Sequence, residues 1–306
     1  MNRSIIKKIL KQKYERWLDS IELPEVRKLA EQNGIITGGS IVSLLLGEPV
    51  KDYDIYFKNK ETVLAVANYY VDRFNGINPN LQIPPKIYED GERVKIKVQS
   101  SGISSVNGDS GYKYFEQFPD EVGNDWLEKV TSIADETNSE CLDEIKPEFN
   151  PVFMSSNAIT LSGKIQIVIR FYGEPEEIHK NYDYIHCCNY WESSNNQLSL
   201  NKDALESILT KTLYYQGSLY PLCSVIRMRK FLKRGWYINA GQILKMLMQI
   251  SELDLTNVKV LEDQLTGVDA AYFHQVIDYC QERMKTDQEF KVTTPYLISV
   301  IDKIFG

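Results

Sequence analysis

The chain has 306 residues, enough for one large domain or two ordinary ones, and its 43% hydrophobic and 25% charged residues are those of a soluble globular protein. No stretch approaches the ~18 uninterrupted apolar residues of a membrane span, and the basic start, Met1 to Lys13, lacks the apolar segment and cleavage site of a signal peptide. The net charge of -7 argues against a nucleic-acid partner until its distribution is seen: residues 109–148 hold twelve acidic residues and three lysines, leaving 32 basic and 30 acidic residues elsewhere, a body free to carry local basic faces.

Residues 4–19 (SIIKKILKQKYERWLD) place Ile5, Ile6, Leu10 and Trp17 near helical spacing, with lysines on the other faces, and predict an amphipathic helix. Pro24, a favoured first-turn residue, opens a second helix to about Gln32. The segment Gly34 to Phe57, GIITGGSIVSLLLGEPVKDYDIYF, reads as a short strand, a Gly-Gly-Ser turn, a short helix, a Gly-Glu-Pro turn and a second strand. A helix is predicted over 61–74, and RVKIKV at 93–98 alternates like a strand.

From about Ser100 to Pro151 the pattern dissolves into Ser, Gly, Asn and acidic residues, with a short helix near 125–134. This is read as an acidic insertion in a sheet domain, mobile in part. Order returns at Ala158. Residues 164–171 (KIQIVIRF) predict a buried strand and 182–191 (YDYIHCCNYW) another. Helices are then expected at 202–213, 222–234, 239–252, 269–286 and 294–304. The expected fold is α+β: a small mixed-sheet head over residues 1–200 that holds the insertion at about 100–151, then an all-helical tail over 201–306.

Gly38 and Gly39 follow a strand and open a helix. Two glycines let the backbone approach a phosphate, the helix points its first N–H groups at the same place, and Ser40 adds a donor. Asp52 and Asp54 sit two apart in a strand, so their side chains share one face, roughly 7 Å apart. Tyr53, Ile55 and Phe57 then face a core. Two carboxylates on one face repel unless divalent cations lie between them. Two Mg²⁺ ions ~3.5–4 Å apart satisfy that need and clamp both the attacking and the leaving oxygen of a displacement.

Taken together, Gly-Gly-Ser, a gap of thirteen residues from Gly39 to Asp52 and a flanked Asp-Tyr-Asp resemble the signature of the DNA polymerase beta-like nucleotidyltransferases. GGSIVSLLLGEPVKDYDIYF is most similar to the head motif of CCA-adding enzymes and bacterial poly(A) polymerases. That resemblance implies a third carboxylate on a neighbouring strand. Asp183, between two tyrosines, is the candidate, and Glu174, Glu176 and Glu177 suit a loop better. His179, His186, Cys187 and Cys188 crowd the same segment, but their spacing fits no common structural zinc site. The five cysteines, odd in number and without CxxC spacing, suit a reducing cytoplasm rather than a disulfide framework.

PLCSVIRMRKFLKRGW, Pro221 to Trp236, resembles the neck helix of the same family, with Pro221, Leu222, Arg229, Gly235 and Trp236 in matching places. On a helical wheel Val225, Met228, Phe231 and Leu232 form the apolar side; Arg227, Lys230 and Arg234 line the opposite one, with Lys233 beside them. The departures are as informative. Leu219, Tyr220 and Cys223 stand where the family carries its base-reading side chains, and its Arg-Arg-Asp motif between head and neck is absent. The resemblance spans about Gly34 to Phe57 and Ala204 to Ile238.

What the resemblance implies is transfer of a nucleoside monophosphate from an NTP, with pyrophosphate as leaving group. Two Mg²⁺ ions would sit on Asp52, Asp54 and Asp183, and Gly38, Gly39, Ser40 and Arg229 would hold the nucleotide. Three acceptor classes stay open. The leading one is an RNA 3′ end, tRNA especially, held by Arg227, Lys230 and Arg234. Another is a protein or small molecule. The third is a catalytically silent descendant that binds nucleotide or a partner, against which the intact Asp52 and Asp54 argue.

Overall fold

The computed structural model describes residues 2–81, 83–97, 102–103, 113–114, 149–265, 271–287 and 289–305. The expected insertion at about 100–151, with its helix near 125–134, lies almost wholly outside them. The chain divides into two compact units, one of which ends at Thr210 while the other begins at Lys211. Among the described residues, no helix is long and apolar enough to cross a membrane.

The first unit opens with helix α1 (Arg3–Asp19), whose N-terminus is capped by the Asn2 side chain accepting from Ser4 N. Ile6, Leu10, Tyr14, Trp17 and Leu18 recur at helical spacing and are buried. Helix α2 (Pro24–Asn33) starts at the proline and runs directly into strand β1 (Gly34–Thr37). Gly34 is required there: a Cβ at this position would lie within the Tyr14 phenol, whose hydroxyl donates to Ala30 O at 2.6 Å. Helix α3 (Gly39–Leu46) follows, then strand β2 (Tyr53–Phe57) and helix α4 (Lys60–Ile77). Trp17 Nε1 donates to Tyr70 Oη at 2.8 Å and ties α1 to α4.

Strands β3 (Lys86–Asp90) and β4 (Arg93–Lys97) form a separate hairpin. The main sheet adds β5 (Gly102–Ile103), β6 (Lys113–Tyr114), β7 (Pro151–Met154), β8 (Ala158–Leu161), β9 (Ile165–Val168), β10 (Tyr190–Glu192) and β11 (Gln197–Ser199). Its order is β11-β10-β1-β2-β9-β8-β7-β5-β6. It is mixed because β2 and β9 run parallel while the other pairings are antiparallel. One face packs Ile36, Tyr53, Ile55, Phe57, Ile165 and Ile167 into a large core with α1 and α4. The other carries a smaller cluster of Ile35, Tyr56 and Ile178, the last from the short helix α5 (Pro175–His179). Helix α6 (Lys202–Thr210) closes this unit.

The strand expected at 182–191 is corrected. Only Tyr190–Glu192 is extended, and Ile185–Cys187 forms a turn of 3-10 helix. Alternation misled because the aromatic residues of this segment pack in several directions: Tyr182 meets Tyr56 and His179, whereas Tyr184 meets His186.

The second unit is helical: α7 (Pro221–Lys233), α8 (Ala240–Ser251), α9 (Val258–Leu265), α10 (Ala271–Thr286) and α11 (Thr294–Phe305). Helix α9 was not foreseen. Its core gathers Val258, Leu261, Leu265, Ile277, Cys280 and Leu297. The wheel drawn for α7 needs correction too. Leu222 and Ile226 pack on this core, Cys223 and Ser224 are buried, and Leu232, placed on the apolar side, is exposed.

Candidate active site

The site is built where β1 meets α3. Gly38 takes φ +84° and ψ -146°, a backbone conformation that only glycine adopts without strain, and it turns the chain from strand into helix within one residue. A Cβ here would stand 3.0 Å from Asp54 Oδ2 and 3.5 Å from the Tyr182 hydroxyl oxygen. The Asp54 carboxylate therefore lies almost on the Gly38 backbone, at the N-terminal end of α3. A negative side chain at the positive end of a helix is favourable, and the same N–H groups suit a phosphate.

Asp54 is half-buried on β2, and Asp52 is exposed one residue before the strand begins. The sheet register defines Asp54's neighbours. Thr37 of β1 lies directly opposite it on one side and Gln166 of β9 on the other, and Gln166 in turn faces Thr160 of β8. These four side chains share one face of the sheet, and Asp54 is the charged member of the row. Thr160 is buried, and its hydroxyl has no hydrogen-bond partner among the described residues.

The segment after α5 folds against this row. Thr37 Oγ1 contacts Asn189 O at 2.8 Å, Cys187 O at 3.3 Å and His179 Nε2 at 2.9 Å. A hydroxyl has one proton. It goes to a carbonyl, so Thr37 accepts from a protonated His179 Nε2, a tautomer assigned from the network. Burial holds the His179 imidazole down at about 4, so it is neutral at physiological pH. Gly38 N donates to Cys187 O at 3.2 Å. The Tyr182 phenol is pushed well up by burial, then by the neighbouring Tyr56 and the Asp54 carboxylate, and stays protonated. These contacts tie the end of β1 and the Gly38 turn to the segment after α5.

The expected site residues fare differently. Gly38, Gly39 and Asp54 come together as described, with Asp52 two residues before Asp54. Ser40 is buried, and its Oγ has no hydrogen-bond partner among the described residues. Asp183 lies on a bend before the 3-10 turn, on no strand, and the strand neighbours of Asp54 are Thr37 and Gln166. Among the described residues, no three His, Cys, Asp or Glu side chains stand close enough to share an ion. Glu174 caps α5 and pairs with Lys58 at 3.1 Å, a structural task. Arg229 is exposed, and Arg227, Lys230 and Arg234 are part-exposed, all at helix α7 of the second unit. Thr37, Gln166, Thr160 and Tyr182 were missed. Gln166 stands out as the one uncharged polar residue within KIQIVIRF, but nothing in the sequence names Asp54 as its neighbour.

The donor set fits magnesium of one kind. Mg²⁺ is usually held by one or two carboxylates, with substrate phosphates and water filling its remaining positions. Asp54 beside the N-terminus of α3, with Asp52 two residues before it, would make such a half-site if substrate phosphates filled the remaining positions.

A model of the Gabija anti-defense 2 family matches residues 8–211, more than half of the chain and almost all of the sheet-bearing unit. A curated relative, Gabija anti-defense 2 of Bacillus phage SPbetaL7, is 20% identical over 107 residues, which is 34% of this chain and 27% of that protein. Solved structures with some similarity include the Thermotoga maritima CCA-adding enzyme complexed with tRNA, at 12% identity and a TM-score of 0.38, covering 89% of this chain and 53% of the enzyme. The Bacillus stearothermophilus CCA-adding enzyme in complex with CTP gives 13% identity and a TM-score of 0.38, covering 87% and 51%. The chain thus spans about half the length of these enzymes, and its match to the phage protein covers little more than a quarter of that relative.

Proposed function

The chain belongs to the Gabija anti-defense 2 family, and on that premise we propose that it is a magnesium-dependent nucleotidyltransferase that acts against the Gabija defence by placing a nucleoside monophosphate on a hydroxyl of one of its proteins. The observation that carries this reading is the Asp54 carboxylate lying against the Gly38 turn at the N-terminus of α3. A phosphate drawn to the same N–H groups would stand beside the Asp54 carboxylate, and a cation would join the two anions.

Asp52 and Asp54 would hold Mg²⁺, which supplies charge neutralisation on the phosphates when bound. The backbone N–H groups at the start of α3 would face the phosphate oxygens. The protonated Tyr182 phenol, beside Asp54, closes one side of the turn. The new bond from the acceptor oxygen to the α-phosphorus forms as the bond to pyrophosphate breaks, and the hydroxyl proton passes to water. Catalysis by such a site is positioning and electrostatics.

An RNA 3′ end is the second reading, favoured by the exposed Arg229 and its basic neighbours. Two residues count against CCA-type readout: Tyr220 and Cys223 are 4% and 0% exposed, so neither presents a hydrogen-bonding edge to a base. The test is to incubate the purified protein, Mg²⁺ and each α-³²P-labelled NTP with lysates from cells with and without Gabija. Label that is protease-sensitive, RNase-resistant and confined to the Gabija lysate supports the proposal. RNase-sensitive label in both lysates would replace it with the RNA reading. Nucleotide binding with no transfer to either would make the protein a binding module.

A further inference from the structure

Building on that nucleotidyltransferase reading, we propose that Gln166 is the third protein group of the metal site, a neutral amide oxygen beside Asp54, so that the triphosphate must complete the site for ions to bind tightly.

The register carries the argument. The strands flanking β2 are β1 and β9, and the residues opposite Asp54 on them are Thr37 and Gln166. Thr37 already has its hydroxyl engaged by Asn189 O and His179 Nε2. Gln166 is half-exposed on the same face, and next to it Thr160 keeps a buried hydroxyl with no partner among the described residues. A buried, unpartnered hydroxyl is uncommon, and this one stands beside the Gln166 amide, one strand further from Asp54 on the same sheet face. An amide oxygen is a competent ligand for a hard cation, but it contributes no charge.

The consequence is electrostatic. A pair of carboxylates without a third leaves the empty pocket one charge less negative than a carboxylate triad. Ions then bind weakly until the triphosphate adds its own oxygens and charge. Metal and nucleotide should therefore bind with strong mutual coupling, and each must raise the affinity of the other by the same factor.

Mn²⁺ binding, read by electron paramagnetic resonance of the free ion, tests this without any turnover. The wild-type protein should bind Mn²⁺ at least about tenfold more tightly with a non-hydrolysable NTP analogue than without it. Gln166→Glu should tighten nucleotide-free Mn²⁺ binding by about tenfold or more, the scale of one added charge at contact distance, and the coupling should shrink. Gln166→Met, similar in shape and without a donor atom, should weaken the Mn²⁺–analogue complex several-fold, and it stands in should the glutamate variant not fold. Asp54→Asn should remove binding in both conditions. If Asp54→Asn does so while both Gln166 variants bind as the wild type, the metal site stands and Gln166 has no part in it. If Asp54→Asn binds Mn²⁺ normally, the carboxylate-pair reading itself falls.

Discussion

The two faces of strand β2 do opposite work. Tyr53, Ile55 and Phe57 point into the large core, where Ile55 and Phe57 are fully buried against α1 and α4. Asp54 and Tyr56 point the other way, Asp54 toward Thr37 and Gln166, and Tyr56 into a smaller cluster with Ile35, Ile178 and Tyr182. A five-residue strand thus carries both the anchor and the site. The anchor pins the strand by burial, so the backbone that presents Asp54 cannot slip, since a one-residue shift would send Asp54 into the core. The difference teaches that the carboxylate's placement is secured by residues that never touch the chemistry.

If that division holds, mutations on the two faces should separate stability from activity. Phe57→Ala should have the largest effect, costing about 3–5 kcal/mol by transfer and cavity terms, as read by chemical denaturation. A cost under about 1 kcal/mol would mean that β2 is held from its other face. Asp54→Asn should do the reverse. Stability should move by less than about 1 kcal/mol. Nucleotide transfer should fall at least a hundredfold, about 2.7 kcal/mol of transition-state stabilisation, in a labelled-NTP assay. A destabilised but active Asp54→Asn would mark Asp54 as structural and break the comparison.

Gly38→Ala falls between these two and sharpens the boundary. The alanine must take φ +84° and bring its methyl to 3.0 Å from Asp54 Oδ2. A backbone conformation of that kind costs an L-residue about 1–3 kcal/mol. The expected result is a modest loss in denaturation midpoint together with a marked loss of nucleotide affinity. Unchanged nucleotide affinity would remove the turn from the phosphate site.

The sequence made the anchor face legible. Trp17, Ile55 and Phe57 follow simple periodicities, and Gly34 to Phe57 contains local signals for each turn. Half of the site face was legible for the same reason: Gly38, Gly39, Asp52 and Asp54 lie within seventeen residues of one another. The rest was not, because Gln166 reaches Asp54 only through the parallel pairing of β2 with β9, across more than one hundred residues of sequence. Periodicity reports which way a side chain points and says nothing of which strand lies beside it. Asp183 misled in the opposite sense: its tyrosine flanks imitate a strand, yet the segment bends to pack Tyr182 on Tyr56 and Tyr184 on His186.

The smallest expected effect lies on helix α7, far in sequence from both faces of β2. Arg227, Lys230 and Arg234 are part-exposed there, and replacing all three with Gln removes charge without emptying a core. Their stems still cover apolar surface, so stability should shift by no more than about 1 kcal/mol. If the acceptor is a protein, its labelling by the triple variant should match that of the wild type at fixed salt. If the acceptor is RNA, the wild-type affinity should fall steeply with salt, and the slope of log affinity against log salt should flatten by roughly 0.7–0.9 for each lost phosphate contact. That flattening, measured by filter binding across a salt series, would move the acceptor from protein to RNA.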